Sequence, residues 1–192
     1  LWELNLERAD GSLFSIRSKA LVNAAGPWVA KFIKDDLKLD SPYGIRLIQG
    51  SHLIVPKLYD APNAFILQNE DQRIVFTIPY MDQFTIIGTT DREYTGDPAK
   101  VSITEEETDY LLNVVNAPFK QQVSRSDILR TYSGVRPLCN DESDNPSAVT
   151  RDYTLALSGA AGEAPLLSVF GGKLTTYRKL AEHAMEKLAK YY

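Results

Sequence analysis

Two arginines, a lysine and a histidine are the side chains whose setting in this sequence could do chemistry. Arg136 stands in Ser133-Gly134-Val135-Arg136-Pro137, at the end of an apolar strand, and Arg151 precedes Asp152-Tyr153 at the entry to another. An arginine fork captures phosphate or carboxylate with two hydrogen bonds, so a converging pair would suit a phosphorylated small molecule. Taken singly, each reads first as a solvated or salt-bridged surface residue, with Asp152 the obvious partner of Arg151. Lys173 lies in Gly171-Gly172-Lys173-Leu174-Thr175-Thr176, expected at a helix N-terminus, where unpaired backbone N–H groups and the positive dipole end favour an anion or an electron-rich ring edge. A cation placed there opposes the dipole, which argues for an anionic group that answers it. His52, in Gly50-Ser51-His52, could donate to a ligand or move a proton, although a lone histidine beside a strand reads first as a hydrogen-bonded core residue. His183 is expected to be exposed. No His/Cys/carboxylate cluster has metal-ligand spacing, and Cys139 has no neighbour that would make it a nucleophile.

The elements that must position these residues follow from hydrophobic period and turn chemistry. Trp2, Leu4 and Leu6 alternate with polar residues, Ala9-Asp10-Gly11-Ser12 turns the chain, and Leu13, Phe14 and Ile16 return, which predicts a hairpin. A short strand over 20–23 runs into Ala24-Ala25-Gly26-Pro27-Trp28 and a helix from Trp28 to about Leu37. From Ile45 to Pro137 several strands (45–48, 52–55, 64–67, 73–78 and 84–89) predict an antiparallel sheet. One helix interrupts it, opened by the Thr104/Glu107 capping box and carrying Leu111, Leu112, Val114 and Val115 on its apolar face. The segment 140–146 reads as a surface loop, 153–157 and 166–170 as strands, and 174–190 as a helix with Leu174, Tyr177, Leu180, Ala181, Ala184 and Leu188 on one face. Two strand-to-helix junctions thus bracket the antiparallel middle, and both carry glycine. Tight turning alone accounts for that, and so does close approach of backbone to a ligand. A phosphate-binding P-loop is excluded, because the pattern needs glycine at 167 and a hydroxyl residue at 174 and both are leucine. No G-x-G-x-x-G follows any strand.

Composition narrows the classes. The chain has 192 residues with a formal net charge of −4, no basic block able to track a nucleic-acid backbone, and length for one domain or two compact lobes. A single cysteine permits no internal disulfide and fits a reducing compartment, so a cytoplasmic setting is expected. The apolar runs fall far short of the roughly 20 residues that span a bilayer. The sequence opens inside a strand, which predicts a piece of something larger.

Leu21 to Trp28, Gly50-Ser51-His52, Gly88-Thr89-Thr90-Asp91, Ser133 to Leu138, Thr150 to Tyr153 and Phe170 to Arg178 together resemble the FAD-dependent, respiratory type of glycerol-3-phosphate dehydrogenase over nearly the whole chain. The first string is shared with many flavin oxidases of the D-amino-acid-oxidase type; the strings around Arg136 and Lys173 are more specific. The resemblance implies an α+β fold whose mixed, mainly antiparallel sheet roofs the flavin. It implies an FAD-domain segment over 1–44, a substrate-binding sheet domain over 45–150, and return strands and a helix of the FAD domain over 151–192. By the same likeness Arg136 and Arg151 grip the phosphate of glycerol 3-phosphate, and Lys173 sits beside substrate and flavin as the catalytic residue. Gly171, Gly172, Leu174 and Thr175 present backbone and hydroxyl groups to the isoalloxazine, Ala25 and Gly26 pass near the FAD, and His52 is a weaker substrate contact. The glycine-rich FAD loop is expected upstream, so the chain by itself is expected to be inactive. The quinone pool, the membrane surface and a homodimer are the implied partners of a parent peripheral on the cytoplasmic membrane. An amino-acid or glycine oxidase of the same fold, and a non-catalytic ligand-binding or interaction domain, stand as alternatives.

Overall fold

The computed structural model describes residues 1–139, 152–159 and 162–192; the expected loop over 140–146 and Arg151 lie outside them. The chain divides into two compact units, one built from Leu1–Ile45 with the described residues from Pro137 onward, the other from Arg46–Arg136.

In the first unit β1 (Trp2–Glu7) and β2 (Leu13–Ser18) form the expected antiparallel hairpin, with Glu7 opposite Leu13. Its turn works as an Asp-Gly turn should: the Asp10 carboxylate accepts the Ser12 N–H at 2.9 Å, and Gly11 takes φ +81°. A second sheet orders β10 (Tyr153–Ser158), β11 (Leu166–Gly171) and β3 (Leu21–Asn23), antiparallel across the first pair and parallel across the second. The central position of β11 explains its uninterrupted apolar sequence: residues 166–170 are all buried. The helix expected from Trp28 is irregular. A 3-10 turn (Gly26–Trp28) leads into one α-helical turn, α1 (Val29–Lys31), and then a π turn (Phe32–Asp36), a path that buries Val29 and Ile33 against Cys139 and Phe170.

The last helix also departs from expectation. A separate 3-10 turn (Leu174–Thr176) precedes α3 (Tyr177–Leu188), and Lys173 itself has extended backbone, φ −97° and ψ 148°. Lys173 therefore stands four residues ahead of α3 rather than at its N-terminus. Only Ala184 and Leu188 reach the core, beside Leu167, whereas Leu174 and Tyr177 are 88% and 67% exposed. A hydrophobic period assigns faces only within one continuous helix, and the turn at Leu174 breaks it.

In the second unit the strands β5 (Phe65–Gln68), β6 (Ile74–Tyr80), β7 (Phe84–Gly88), β4 (Ile45–Pro56) and β8 (Arg92–Tyr94) lie side by side in that order, and β9 (Arg130–Cys139) also pairs with β4. The registers of β5 with β6, β6 with β7, and β4 with β7 and β8 are all antiparallel. β4 is one strand of 12 residues, not the two expected around a break at Gly50-Ser51. Gly50 is extended like its neighbours and serves space rather than a turn. Arg136 falls inside β9 rather than at the end of a strand. α2 (Glu105–Asn116) opens with the expected capping box and lays Leu111, Leu112 and Val115 on Leu53, Val55, Val75 and Ile87 of the sheet. The fold is α+β, mainly antiparallel, with flanking helices. Among the described residues no helix is long and apolar enough to cross a membrane.

Strand β6 alternates cleanly: Val75 and Thr77 are fully buried while Ile78 is 40% exposed. Leu111→Ala, at a site with no exposure, should cost about 2–5 kcal/mol. Ile78→Ala should cost under about 1 kcal/mol, scaled to its partial burial. Chemical denaturation of both variants measures the difference.

Candidate functional site

Residues directly opposite in an antiparallel ladder share one face of the sheet. His52 faces Gly88, Gly88 faces Phe76, and Phe76 faces Ile66; Ile54 faces Ile86, which faces Ile78. Gly50, in step with His52 along β4, belongs to the same face, opposite to the one that carries Leu53 and Val55 into the core. Two glycines clear this face for larger groups. A Cβ at Gly50 would overlap the Arg136 guanidinium and lie 2.6 Å from the Thr89 hydroxyl; a Cβ at Gly88 would overlap the His52 ring, 2.7 Å from its Cγ. Neither glycine has left-handed backbone, so space alone requires them.

Described residues on more than one side hold the guanidinium. Nη1 of Arg136 donates to Asp91 Oδ1 at 2.7 Å and to the Thr90 carbonyl at 3.4 Å, and Nη2 donates to Thr89 Oγ1 at 2.9 Å. Its side chain is 29% exposed and that of Asp91 14%, so the pair is shielded more than an ordinary surface ion pair. Beside it the His52 ring stacks on Tyr132, centroids 4.5 Å apart and planes 4° from parallel. Burial first, and the charge of Arg136 second, push the His52 imidazole down to about 4 from 6.5. It is therefore neutral at neutral pH. Its buried Nδ1 has no hydrogen-bond partner among the described residues, contrary to the expectation of a hydrogen-bonded core histidine. Such an orphan costs about 1–3 kcal/mol, a cost with no return in stability.

Behind the clamp is a buried polar cluster that the sequence showed only as a helix cap. The Glu107 carboxylate accepts from Thr90 Oγ1 at 2.5 Å, Ser51 Oγ at 2.9 Å, Gln49 Nε2 at 2.7 Å and the Thr104 N–H at 3.0 Å. Thr89, Thr90, Asp91 and Glu107 were not singled out as site residues. The string Gly88-Thr89-Thr90-Asp91 was visible, but its partner in β9 was not.

The first unit gathers the other expected residues. β3 and β11 are parallel neighbours, so the segments that follow them, Ala24–Gly26 and 171–175, leave the same edge, the carboxyl ends where parallel sheets receive ligands. Buried Asn23 fixes the first of these, donating from Nδ2 to the Val29 carbonyl at 3.0 Å and accepting the Ala25 N–H at 3.3 Å. Gly26 has φ +55° with open space where a Cβ would stand. Gly171 and Gly172 have φ +75° and +102°, and a Cβ at Gly171 would lie 2.8 Å from the Asp152 carbonyl; conformation and packing already demand both. Ala25, Lys173, Leu174 and Thr175 are exposed. Exposed Leu174 and Thr175 are side chains that could meet a flat, largely apolar ring system such as a flavin. Arg151 is not among the described residues, which also contain no group of histidines, cysteines and carboxylates able to hold a metal.

Residues 2–178 match the family described as DAO, FAD dependent oxidoreductase. A glycerol-3-phosphate dehydrogenase of Pseudomonas tolaasii is 82% identical over 192 residues, all of this chain and 37% of the relative. A D-erythritol 1-phosphate dehydrogenase of Brucella abortus is 46% identical over 97% of this chain and 37% of its own length. The X-ray structure of the glycerol-3-phosphate dehydrogenase from Bacillus halodurans, complexed with FAD, superposes with a TM-score of 0.79 at 29% identity, covering 98% of this chain and 35% of that one. The chain thus spans a little over one third of the length of the curated relatives it matches.

The His52 environment sets a pH dependence. The folded chain holds the imidazole at about 4 and the unfolded chain near 6.5, so between those values the unfolded state binds more protons and stability falls as pH falls. His52→Phe, which keeps a ring against Tyr132, should remove that loss, and histidine NMR titration should give a midpoint well below 6.5. A midpoint near 6.5 would mean a hydrated, mobile ring.

Proposed function

The chain belongs to the DAO family of FAD dependent oxidoreductases, and on that premise we propose that it is the substrate-binding part, with flanking cofactor-domain segments, of a glycerol-3-phosphate dehydrogenase. The reaction is oxidation of glycerol 3-phosphate to dihydroxyacetone phosphate, with electrons passed on to quinone by an enzyme peripheral on the cytoplasmic membrane. The observation that carries the reading is Arg136, held against Gly50 by Asp91 and Thr89. A guanidinium fixed in this way loses little further freedom on meeting a phosphate, and a charge-assisted bond to phosphate contributes about 1.5–3 kcal/mol.

Each side chain has a part. Arg136, with Arg151, binds the phosphate and so orients the carbinol carbon, turning binding energy into geometry. His52, held neutral, suits a hydrogen bond or a proton transfer better than a countercharge. Lys173 contributes an ammonium on exposed backbone for a substrate oxygen. Bound FAD supplies the hydride acceptor. Ala25 and Gly26, with Gly171, Gly172, Leu174 and Thr175, line the sheet edge suited to its ring. The relative named for D-erythritol 1-phosphate favours a second reading, a longer polyol phosphate, which would use the same phosphate grip. An amino-acid or glycine oxidase would instead need a single arginine for a carboxylate.

In the full-length enzyme, Arg136→Ala and Arg151→Ala should each lower kcat/KM on glycerol 3-phosphate by about tenfold to a hundredfold, with far less effect on glycerol. Equal losses on both compounds would assign the arginines to the fold or the flavin. Parallel assays on erythritol phosphate and glycine separate the other readings. Lys173→Ala should lower turnover at least about tenfold and leave thermal unfolding unchanged, since Lys173 is exposed. A large fall in Tm would make it a structural residue.

A further inference from the structure

Glu107 does more than its place in a helix cap requires. A capping box needs one backbone N–H for its glutamate and nothing else, and Thr104 supplies it at 3.0 Å. This glutamate is only 5% exposed, and beyond the cap it takes donors from Gln49 and Ser51 on β4 and from Thr90 in the segment between β7 and β8. A buried carboxylate satisfied by donors from several elements fixes those elements relative to one another.

We infer that Glu107 is a positioning residue for Arg136, and through it sets how tightly the site holds a substrate phosphate; the inference rests on the reading of Arg136 as a phosphate ligand. Two routes lead from one to the other. The Thr90 hydroxyl donates to Glu107 at 2.5 Å and accepts the Ser51 N–H at 2.9 Å, so its orientation is fixed from both sides. The carbonyl of that same threonine accepts from the guanidinium, as do its neighbours Thr89 and Asp91. The second route runs from Ser51 Oγ to Ser133 Oγ, 2.9 Å apart, on the strand that carries Arg136. Glu107 thus anchors both the cradle of the arginine and the strand from which the arginine springs, without touching the arginine itself.

The test uses the full-length enzyme and a split between binding and turnover. Glu107→Gln keeps the shape but removes the charge and one acceptor oxygen: with its amide toward Thr90 and Ser51 those hydroxyls lose their common acceptor, and toward Gln49 and the Thr104 N–H it sets donor against donor. KM for glycerol 3-phosphate should rise about fivefold to twentyfold with kcat changed less than about twofold, and kcat/KM on unphosphorylated glycerol should change less than about twofold. In an Arg136→Ala background the same change should add nothing, because the two act on one contact. Thr90→Val removes only the bridging hydroxyl and should reproduce the KM rise, while Thr90→Ser should restore it; this pair decides the matter if Glu107→Gln does not fold. An unchanged KM in these variants, or equal losses on both substrates, overturns the inference and leaves Glu107 a fold residue. Arg136→Ala hitting both substrates equally is a different failure: it overturns the reading of Arg136, and the inference falls with it.

Discussion

A carboxylate removed from water must be met by donors on every side, or the charge costs more than a small unit can sustain. The second unit is arranged around one such group. Glu107 collects hydrogen bonds from its own helix start, from the longest strand and from the Thr90 segment. The helix, the sheet and the arginine cradle are thereby registered by a single buried charge. The apolar contacts of Leu111 and Val115 with the sheet supply stability without direction; the hydrogen bonds at Glu107 supply direction.

The opposite face of the same sheet is governed by clearance. Gly50 and Gly88 withhold side chains where Arg136 and His52 lie, so a charged fork and a neutral ring rest against backbone rather than standing in solvent. The face grades from this polar end into Ile54, Ile78 and Ile86. The first unit follows a different rule: a parallel pair of strands, far apart in sequence, brings two glycine-bearing segments to one edge.

What could be read from the sequence was what local chemistry decides. Asp10-Gly11 fixed its turn and Thr104/Glu107 its cap because both act over three or four residues. Gly50 looked like a break in a strand because the reason for it, the Arg136 side chain, belongs to a strand distant in sequence. Leu174 was set on one face with Ala184 and Leu188 because the helical period was extended across a turn that ends it. Arg136, His52 and the glycines of the two junctions stand out by residue type and by likeness to a known family, but the partners that give Arg136 its geometry are tertiary. For the same reason Glu107 was recognised for the local half of its work alone.

The central claim is that the sheet face is cleared at Gly50 to hold Arg136 for a phosphate, and Gly50→Ala tests it with one methyl group. The substitution removes no polar atom, and in extended backbone alanine is intrinsically the more favourable residue by roughly 0.5–1 kcal/mol, which offsets part of what the displaced arginine loses. The added Cβ meets the guanidinium and the Thr89 hydroxyl and should displace the arginine. The account predicts a KM for glycerol 3-phosphate raised about tenfold or more in the full-length enzyme, with the variant still folded and activity on glycerol unchanged. An unchanged KM in a folded variant would contradict it.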